Sequence, residues 1–540
     1  MGRFRSTVAR ANIKLPLKLA ATLLASSTLV SSLLGLFRDR QLNGLYYSSY
    51  PQGIDAYTVA FSVPDFMFFI LVSGALSVTF IPVFNQRLAD NNKKSAWELS
   101  SSVLNLMAIV TLIASILIII FAEPLIRYVV GPGLNESSRA LAVSMMRVIA
   151  INPFLFAIAT VISSMQQAIG RFTFFAMAPA VYNIGIIIGV MFFTNGINLF
   201  GWQVFEGGIM GVALGVVLGS AMQLLISCIG LFGMGFDYRF KIYWKNLGFR
   251  KVLSLLPARS LDQGIDYING MVETNLASRM AAGTIRAYQQ ASALSFVPVN
   301  LIGVAISTAA FPKMAERLGE GRPDLFKKEL QSVLRVIIWL ALPVTVITFF
   351  SRGYLINFIK NGGDSLMSNI LGILVVGILF RSVYHIASRS FYAQQNTKTP
   401  LYISFFAIGL NIFLAIWFTM RLDMGVYGLA WAASIVAVTE VSILFFVMSK
   451  TIKGLFDATF LHSVGRMIIA AILMGIVSYI CVISFPLSIT DRSFFVSFPK
   501  FGLIVAVSGV CYLILSKLFK LSEVDPIIDR VKKILSVRPK

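Results

Sequence analysis

The stretch ALSVTFIPVFNQRLA, residues 75–89, returns about 230 residues later as AISTAAFPKMAERLG, residues 305–319. Ser77 matches Ser307, Pro82 matches Pro312, and Arg87-Leu88 matches Arg317-Leu318. Two further pairs keep the same order at similar offsets. Gln166, Gln167 and Asn183 answer to Gln394, Gln395 and Asn411, and Gly208-x-x-Gly-Val-Ala answers to Gly425-x-x-Gly-Leu-Ala. A duplicated bundle of this kind is typical of secondary transporters, whose substrate site lies between the halves.

Composition places the chain in a membrane. Of its 540 residues, 57% are hydrophobic and 13% charged, and the mean hydropathy is +0.80. Soluble domains carry about 25% charged residues. A helix needs about 20 apolar residues to cross a hydrocarbon layer. Fourteen stretches qualify, centred near Ser27, Phe69, Val110, Ile151, Asn183, Leu218, Gly264, Pro298, Leu342, Ile378, Leu410, Ala437, Leu473 and Ser508. The alternating short segments of a β-barrel are missing. The expected fold is therefore an all-α integral membrane protein of about 14 spans. Residues 1–232 form a six-helix lobe and residues 250–450 a second, related to the first by a parallel repeat. Residues 451–540 add two helices and a basic tail.

The net charge of +22 calls nucleic acid to mind, but its distribution argues for topology. With residues 1–16 in the cytoplasm, most Lys and Arg fall in cytoplasmic loops, as the positive-inside rule requires. Both termini are then cytoplasmic. No loop is long enough to form a separate basic domain, so nucleic acid is not an expected partner. Residues 1–35 have a basic start and an apolar run too long for a cleaved leader, so they read as the first span. Cys228, Cys481 and Cys511 lie far apart in apolar segments and imply neither a metal site nor a disulfide framework. Nucleotide-binding, metalloprotease and serine-hydrolase signatures are all lacking, which argues against an ATP-driven pump and against an enzyme.

Charges inside the spans are the candidate functional residues, because each costs at least ~2.5–3.5 kcal/mol at membrane depth. Arg147, Arg259 and Arg381 are such cations, and an arginine can hold phosphate oxygens bidentately. Their bland reading is pairing between helices or snorkelling to an interface. Span seven is the most polar. Asp262, Asp266, Asn269 and Glu273 follow i, i+4, i+7 and i+11, so one helical face carries them. Carboxylates with amide oxygens suit Na⁺ or a proton relay, and Asn411 is a further oxygen donor to consider. Pairing of Asp262 or Asp266 with Arg259 is the competing reading. Pro82 and Pro312 read as punctuation at matching helix ends. The spacing Gly207, Gly211, Gly215, Gly219 predicts close helix packing.

Several motifs in order resemble the MurJ/MviN family of lipid II flippases in the MOP exporter superfamily. They are Leu34-Gly-Leu-Phe-Arg-Asp39, Asp55-Ala-Tyr-x-x-Ala-Phe61 with Pro64, Gly74 to Phe84, Pro298 to Pro312, and Arg389-Ser-Phe-Tyr-Ala393 leading to Pro400. The resemblance covers most of the chain to about residue 450. It implies a V-shaped pair of six-helix lobes, with a groove for a lipid tail on the last two helices. It also implies substrate contacts at Arg38, Asp39 and Asp55. Ser32, Phe68, Phe69 and Ala293 stand where the family often places cavity arginines, and Ser73 replaces a glutamate. The implied function is translocation of a lipid-linked oligosaccharide, lipid II, across the inner (cytoplasmic) membrane by alternating access. Apart from the resemblance, the polar face of span seven points to Na⁺ or H⁺ as the coupling ion, no other cofactor is expected, and the chain is expected to act as a monomer. A small-molecule exporter of the multidrug type and a scaffold of the envelope machinery remain as alternatives.

Overall fold

The computed structural model describes residues 16–199, 202–488, 491–526 and 528–529, without the side chains of residues 17–18, 21, 73–78, 198–199, 202, 204 and 257–266. The helices of the first half are α1 (Leu17–Tyr46), α2 (Pro51–Ala60), α3 (Ser62–Phe68), α4 (Gly74–Ala89), α5 (Lys93–Pro124), α6 (Glu136–Ile149), α7 (Asn152–Ile169), α8 (Thr173–Met191), α9 (Met210–Ile229) and α10 (Leu247–Ala277). Those of the second half are α11 (Thr284–Pro298), α12 (Ala305–Gly319), α13 (Pro323–Phe350), α14 (Arg352–Ile359), α15 (Ser365–Ala393), α16 (Lys398–Ile416), α17 (Gly425–Thr451), α18 (Ala458–Ser484) and α19 (Phe494–Leu518). Twelve helical segments are long and apolar enough to cross a membrane. With α1 (30 residues) and α10 (31 residues), which are long but not among those twelve, the described residues hold fourteen long helical segments. Among the described residues the fold is all-α apart from one antiparallel hairpin between α8 and α9, β1 (Ile197–Leu199) with β2 (Trp202–Phe205).

Packing follows the logic of a lipid solvent. On α5 the inward face carries the small residues Ala114, Ser115 and Ala122 beside Ile118, while Ile113, Ile116, Leu117 and Ile120 are exposed. The pattern recurs on α18, where Ala470, Ala471, Gly475 and Ser478 are buried and Ile469, Ile472, Ile476 and Ile480 face outward. Apolar tails solvate large side chains as well as a protein core does. Small residues therefore let backbones approach, and hydroxyls supply bonds between helices. The Ser478 Oγ donates to Ser508 Oγ at 2.8 Å, joining α18 to α19. The Trp339 indole N–H donates to Ser516 Oγ at 3.0 Å, and the Tyr512 hydroxyl to the Trp339 carbonyl at 3.0 Å, fastening α19 to α13.

The chain forms two compact units, Met1–Ile285 and Arg286–Lys540. In the first, Phe80, Phe84, Leu99, Val161, Met165 and Phe249 centre the core. In the second, Leu334, Trp339, Ile386, Leu444, Met467 and Tyr512 do so. The division falls later than the repeat boundary near residue 250. Within the first unit α10 packs on α4 and α5, and the C-terminal pair α18 and α19 packs within the second.

The repeat extends to an irregularity. The first unit widens into a π-helical segment over Phe69–Ser73, and the second does so over Val299–Val304. The register that carries Arg87 onto Arg317 carries the first segment onto the second. A π turn breaks the regular i→i−4 ladder and is frequent at functional sites. In the second unit the Val304 carbonyl accepts from Arg389 at 3.2 Å, and Gly303 lies against Ser382, where a Cβ would come within 2.6 Å of the Ser382 Cα.

Two local expectations are corrected. Pro82 and Pro312 sit inside α4 and α12 rather than at their ends. In a membrane bundle, neighbouring helices and hydroxyl groups re-satisfy the carbonyl that a proline frees, so the helix continues. Gly207 lies outside α9 with φ +97°, where it turns the chain; only Gly211, Gly215 and Gly219 belong to the packing face. That face meets α8 so closely that a Cβ on Gly185 would lie 2.2 Å from the Gly219 Cα.

Candidate functional site

In the first unit the sequence places Arg38 on α1 and Asn183 on α8, two helices that pack side by side. The Arg38 Nε and Nη2 donate to one oxygen of Asp39, at 3.2 and 3.0 Å. Its Nη1 donates to Asn183 Oδ1 at 3.0 Å. The Asn183 amide nitrogen donates in turn to the Ser31 carbonyl and hydroxyl, each at 3.2 Å, and to the Pro179 carbonyl at 3.2 Å. The asparagine oxygen is thus aimed at the guanidinium. The Arg38 and Asp39 side chains are 25% and 18% exposed. Arginine carries five N–H donors, and these bonds use three of them. Two remain for an oxyanion, held in a planar fork that matches phosphate.

Asp55 lies elsewhere. It is 3% exposed on α2, and its Oδ2 accepts from the Gly283 backbone N–H at 2.6 Å, tying α2 to the turn that precedes α11. Arg147, exposed in the last turn of α6, donates from Nε to the Ile119 carbonyl at 3.3 Å. Backbone pairing of this kind is the bland reading of a cation in a span. Arg259, Asp262 and Asp266 belong to the backbone of α10, but their side chains lie outside the described residues, as does that of Ser73. Further along the same helix the Asn269 amide donates to Glu273 at 3.1 Å, so two members of the predicted polar face pair with each other.

The positions where family arginines were expected are filled otherwise. Phe68 packs on Phe69 and Phe156, and Phe69 stacks on Tyr267 with centroids 4.2 Å apart, giving an aromatic cluster at the π-helical segment. Ser32 is exposed and bonds only within its helix, to the Thr28 carbonyl at 2.9 Å. Ala293 is exposed on α11.

In the second unit the Arg381 guanidinium lies 4.6 Å from the centre of the Phe296 ring. Arg381, His385 and Arg389 follow at i, i+4 and i+8 on α15, a basic stripe on one face. Arg389 also bonds Thr308. Asn411 is buried on α16 at 5% exposure. A relay of hydroxyls links three helices here: Tyr384 bonds Ser404 at 2.9 Å, and Ser404 donates to Glu440 at 3.0 Å. Neither His385 nor Arg389 is among the site residues expected from the sequence. Nor is Arg286, 4% exposed in the first turn of α11. The i+4 spacing of Arg381, His385 and Arg389 was the signal available.

Two bundles of long helices, with spans broken by π turns and one arginine–amide network on the first, make a multi-pass membrane protein with the MOP transporter fold. An inward-facing multidrug MATE transporter of that superfamily superposes with a TM-score of 0.65 at 16% identity, over 81% of this chain and 99% of its own. The family described as lipid II flippase MurJ matches residues 52–498, and the chain belongs to it. A probable lipid II flippase MurJ from Buchnera aphidicola subsp. Acyrthosiphon pisum is 28% identical over 71% of this chain and 75% of its own length. One from Thermotoga maritima is 24% identical over 93% of this chain and 97% of its own. A solved lipid II flippase MurJ in an inward closed conformation aligns with a TM-score of 0.74 and 25% identity, covering 92% of this chain and 98% of that one.

Proposed function

We propose that this protein flips lipid II across the cytoplasmic membrane by alternating access. Membership of the family supports the reading, and the observation that carries it is the Arg38–Asp39–Asn183 network. A pyrophosphate is the charge common to polyprenyl-linked donors. A guanidinium held at low exposure with donors to spare supplies affinity for it. Neighbouring polar groups would select the sugar, while the lipid tail stays in the bilayer. The test is lipid II accessibility at the outer face of cells depleted of their own flippase. Rescue by this chain supports the reading, and accumulation of inward-facing lipid II despite full expression overturns it.

The coupling ion is assigned to the Asp262, Asp266 and Asn411 set, with Na⁺ or H⁺ as the candidates. The register that carries Asn183 onto Asn411 carries Arg38 onto Asp266. By register alone, a cation and an amide in one repeat correspond to an acid and an amide in the other, residue types that suit an anion and a cation respectively. An Asp262→Asn, Asp266→Asn double variant that inserts normally should lose transport, and unchanged transport would reduce these acids to structural partners. Both termini are assigned to the cytoplasm. Reporter fusions after Lys540 and within 364–369 should report opposite sides.

A further inference from the structure

Arg87 and Arg317 are the same position in the two repeats, followed at the same spacing by Asp90 and Glu320. Their environments differ. Arg317 pairs with Glu320 at 2.9 Å. Among the described residues no ion pair joins Arg87 to Asp90, and the Arg87 Nε–H is buried with no hydrogen-bond partner. The side chain instead lines a cavity of about 750 Å³ between the C-terminal end of α4, the start of α5 and the segment leading into α10.

Lys94, Lys241 and Lys245 line the same cavity, and Glu98 is the one carboxylate among its lining residues. Two helices begin there. Asn92 caps α5 by accepting from Ser95 N at 3.0 Å, and Asn246 caps α10 by accepting from Phe249 N at 3.2 Å. The Asn246 amide also donates to the Ser95 carbonyl and hydroxyl, each at 3.1 Å, which locks the two helix starts together. Helix N-termini carry partial positive charge, so both add to the field of the four cations. Arg87 lies in the last turn of α4, yet its buried Nε–H is left without an acceptor. A buried donor without an acceptor is disfavoured, so the Arg87 guanidinium gains nothing from the protein around it and remains unneutralised beside the lysines.

We infer that this cavity is a binding site for a phosphate-bearing anion, distinct from the Arg38 network and independent of the flippase reading. The guanidinium of Arg87 would take two phosphate oxygens, the lysines would neutralise the remaining charge, and the locked helix starts would fix the depth of entry. Phospholipid headgroups and soluble phosphates share this chemistry. The Arg–acid pair of the repeat is thus closed in the second unit and open in the first.

The experiment uses the full-length protein, purified in detergent and separately in nanodiscs. Inorganic pyrophosphate is titrated calorimetrically in the first, with Arg38→Ala in every protein compared so that the Arg38 network does not contribute. Co-purified phosphatidylglycerol is counted by native mass spectrometry in the second. Arg87→Gln should weaken pyrophosphate binding or retained phosphatidylglycerol about tenfold, while Arg317→Gln leaves both unchanged. A pyrophosphate effect alone identifies a soluble anion, and a phosphatidylglycerol effect identifies a headgroup. Should Arg87→Gln fail to fold, the Lys94→Gln, Lys245→Gln double variant reports on the same cavity through exposed side chains. Equal binding by wild type and all these variants in both arms overturns the site.

Discussion

The Asp55 carboxylate and the Gly283 backbone N–H meet at 2.6 Å although 228 residues separate them. Gly283 has φ +89°, and a Cβ there would lie 3.3 Å from the Pro51 ring. The turn therefore needs glycine, and the carboxylate satisfies a buried donor at the point where the first unit ends. This geometry gives a family-motif residue a structural duty, whether or not it also meets the substrate.

Asp55→Ala should lower stability by about 1–3 kcal/mol, the penalty for leaving a buried N–H unsatisfied. Asp55→Asn keeps an acceptor and should lose less. Thermal unfolding in detergent separates the two variants. Transport lost from an Asp55→Ala protein as stable as wild type would instead mark a direct substrate contact.

Arg38→Ala should abolish transport, and Arg38→Lys should retain part of it, since an ammonium supplies charge without the planar fork. Asn183→Ala removes the brace but not the cation, so its effect should fall between those two. Flippase complementation ranks the three variants. Normal rescue by Arg38→Ala would shift the anion-binding role to Arg381 or Arg259 and weaken the lipid II assignment.

Gly185→Ala should destabilise the first unit toward the upper end of the ~1–3 kcal/mol typical of overpacking, because its Cβ would collide with backbone rather than with a side chain. Gly465→Ala, where nothing lies within 4 Å, should be silent. Denaturation in detergent tests the contrast. Equal stability of the two variants would mean that α8 and α9 can slide apart.

The loop before α19 should make stability depend on acid. The Lys500 ammonium donates to Asp491 at 2.6 Å and the Ser488 N–H at 3.0 Å, holding the Asp491 carboxyl below its ordinary range. A depressed folded-state value means that the stabilisation is complete above the unfolded carboxylate range and is lost as pH falls through the folded value. Melting temperature should therefore fall more steeply in acid for wild type than for Asp491→Asn. Parallel curves would show that the pair contributes nothing.

Much of the fold was legible in the sequence because membrane helices must satisfy their own backbone. Apolar length then counts the spans, and the repeat of residues 75–89 at 305–319 orders them. The π-helical segment at Phe69–Ser73 is duplicated at Val299–Val304, but no residue pattern announces a π turn, and only the folded structure reveals the shared break. The polar stripe of α10 was legible through its spacing. Its partners were not, since the Asn269–Glu273 bond depends on rotamers.

The sequence by itself determined a duplicated, all-helical membrane transporter and marked Arg38, Asp39 and Asp55 through their motifs, because lipid as solvent leaves few solutions to backbone pairing. Only the tertiary structure decided what each polar group does. It turned Arg38 toward Asn183, gave Asp55 to a glycine turn, and left Arg87 open where Arg317 is closed. Those outcomes depend on which side chains converge across distant helices, and no periodicity within one helix encodes that convergence.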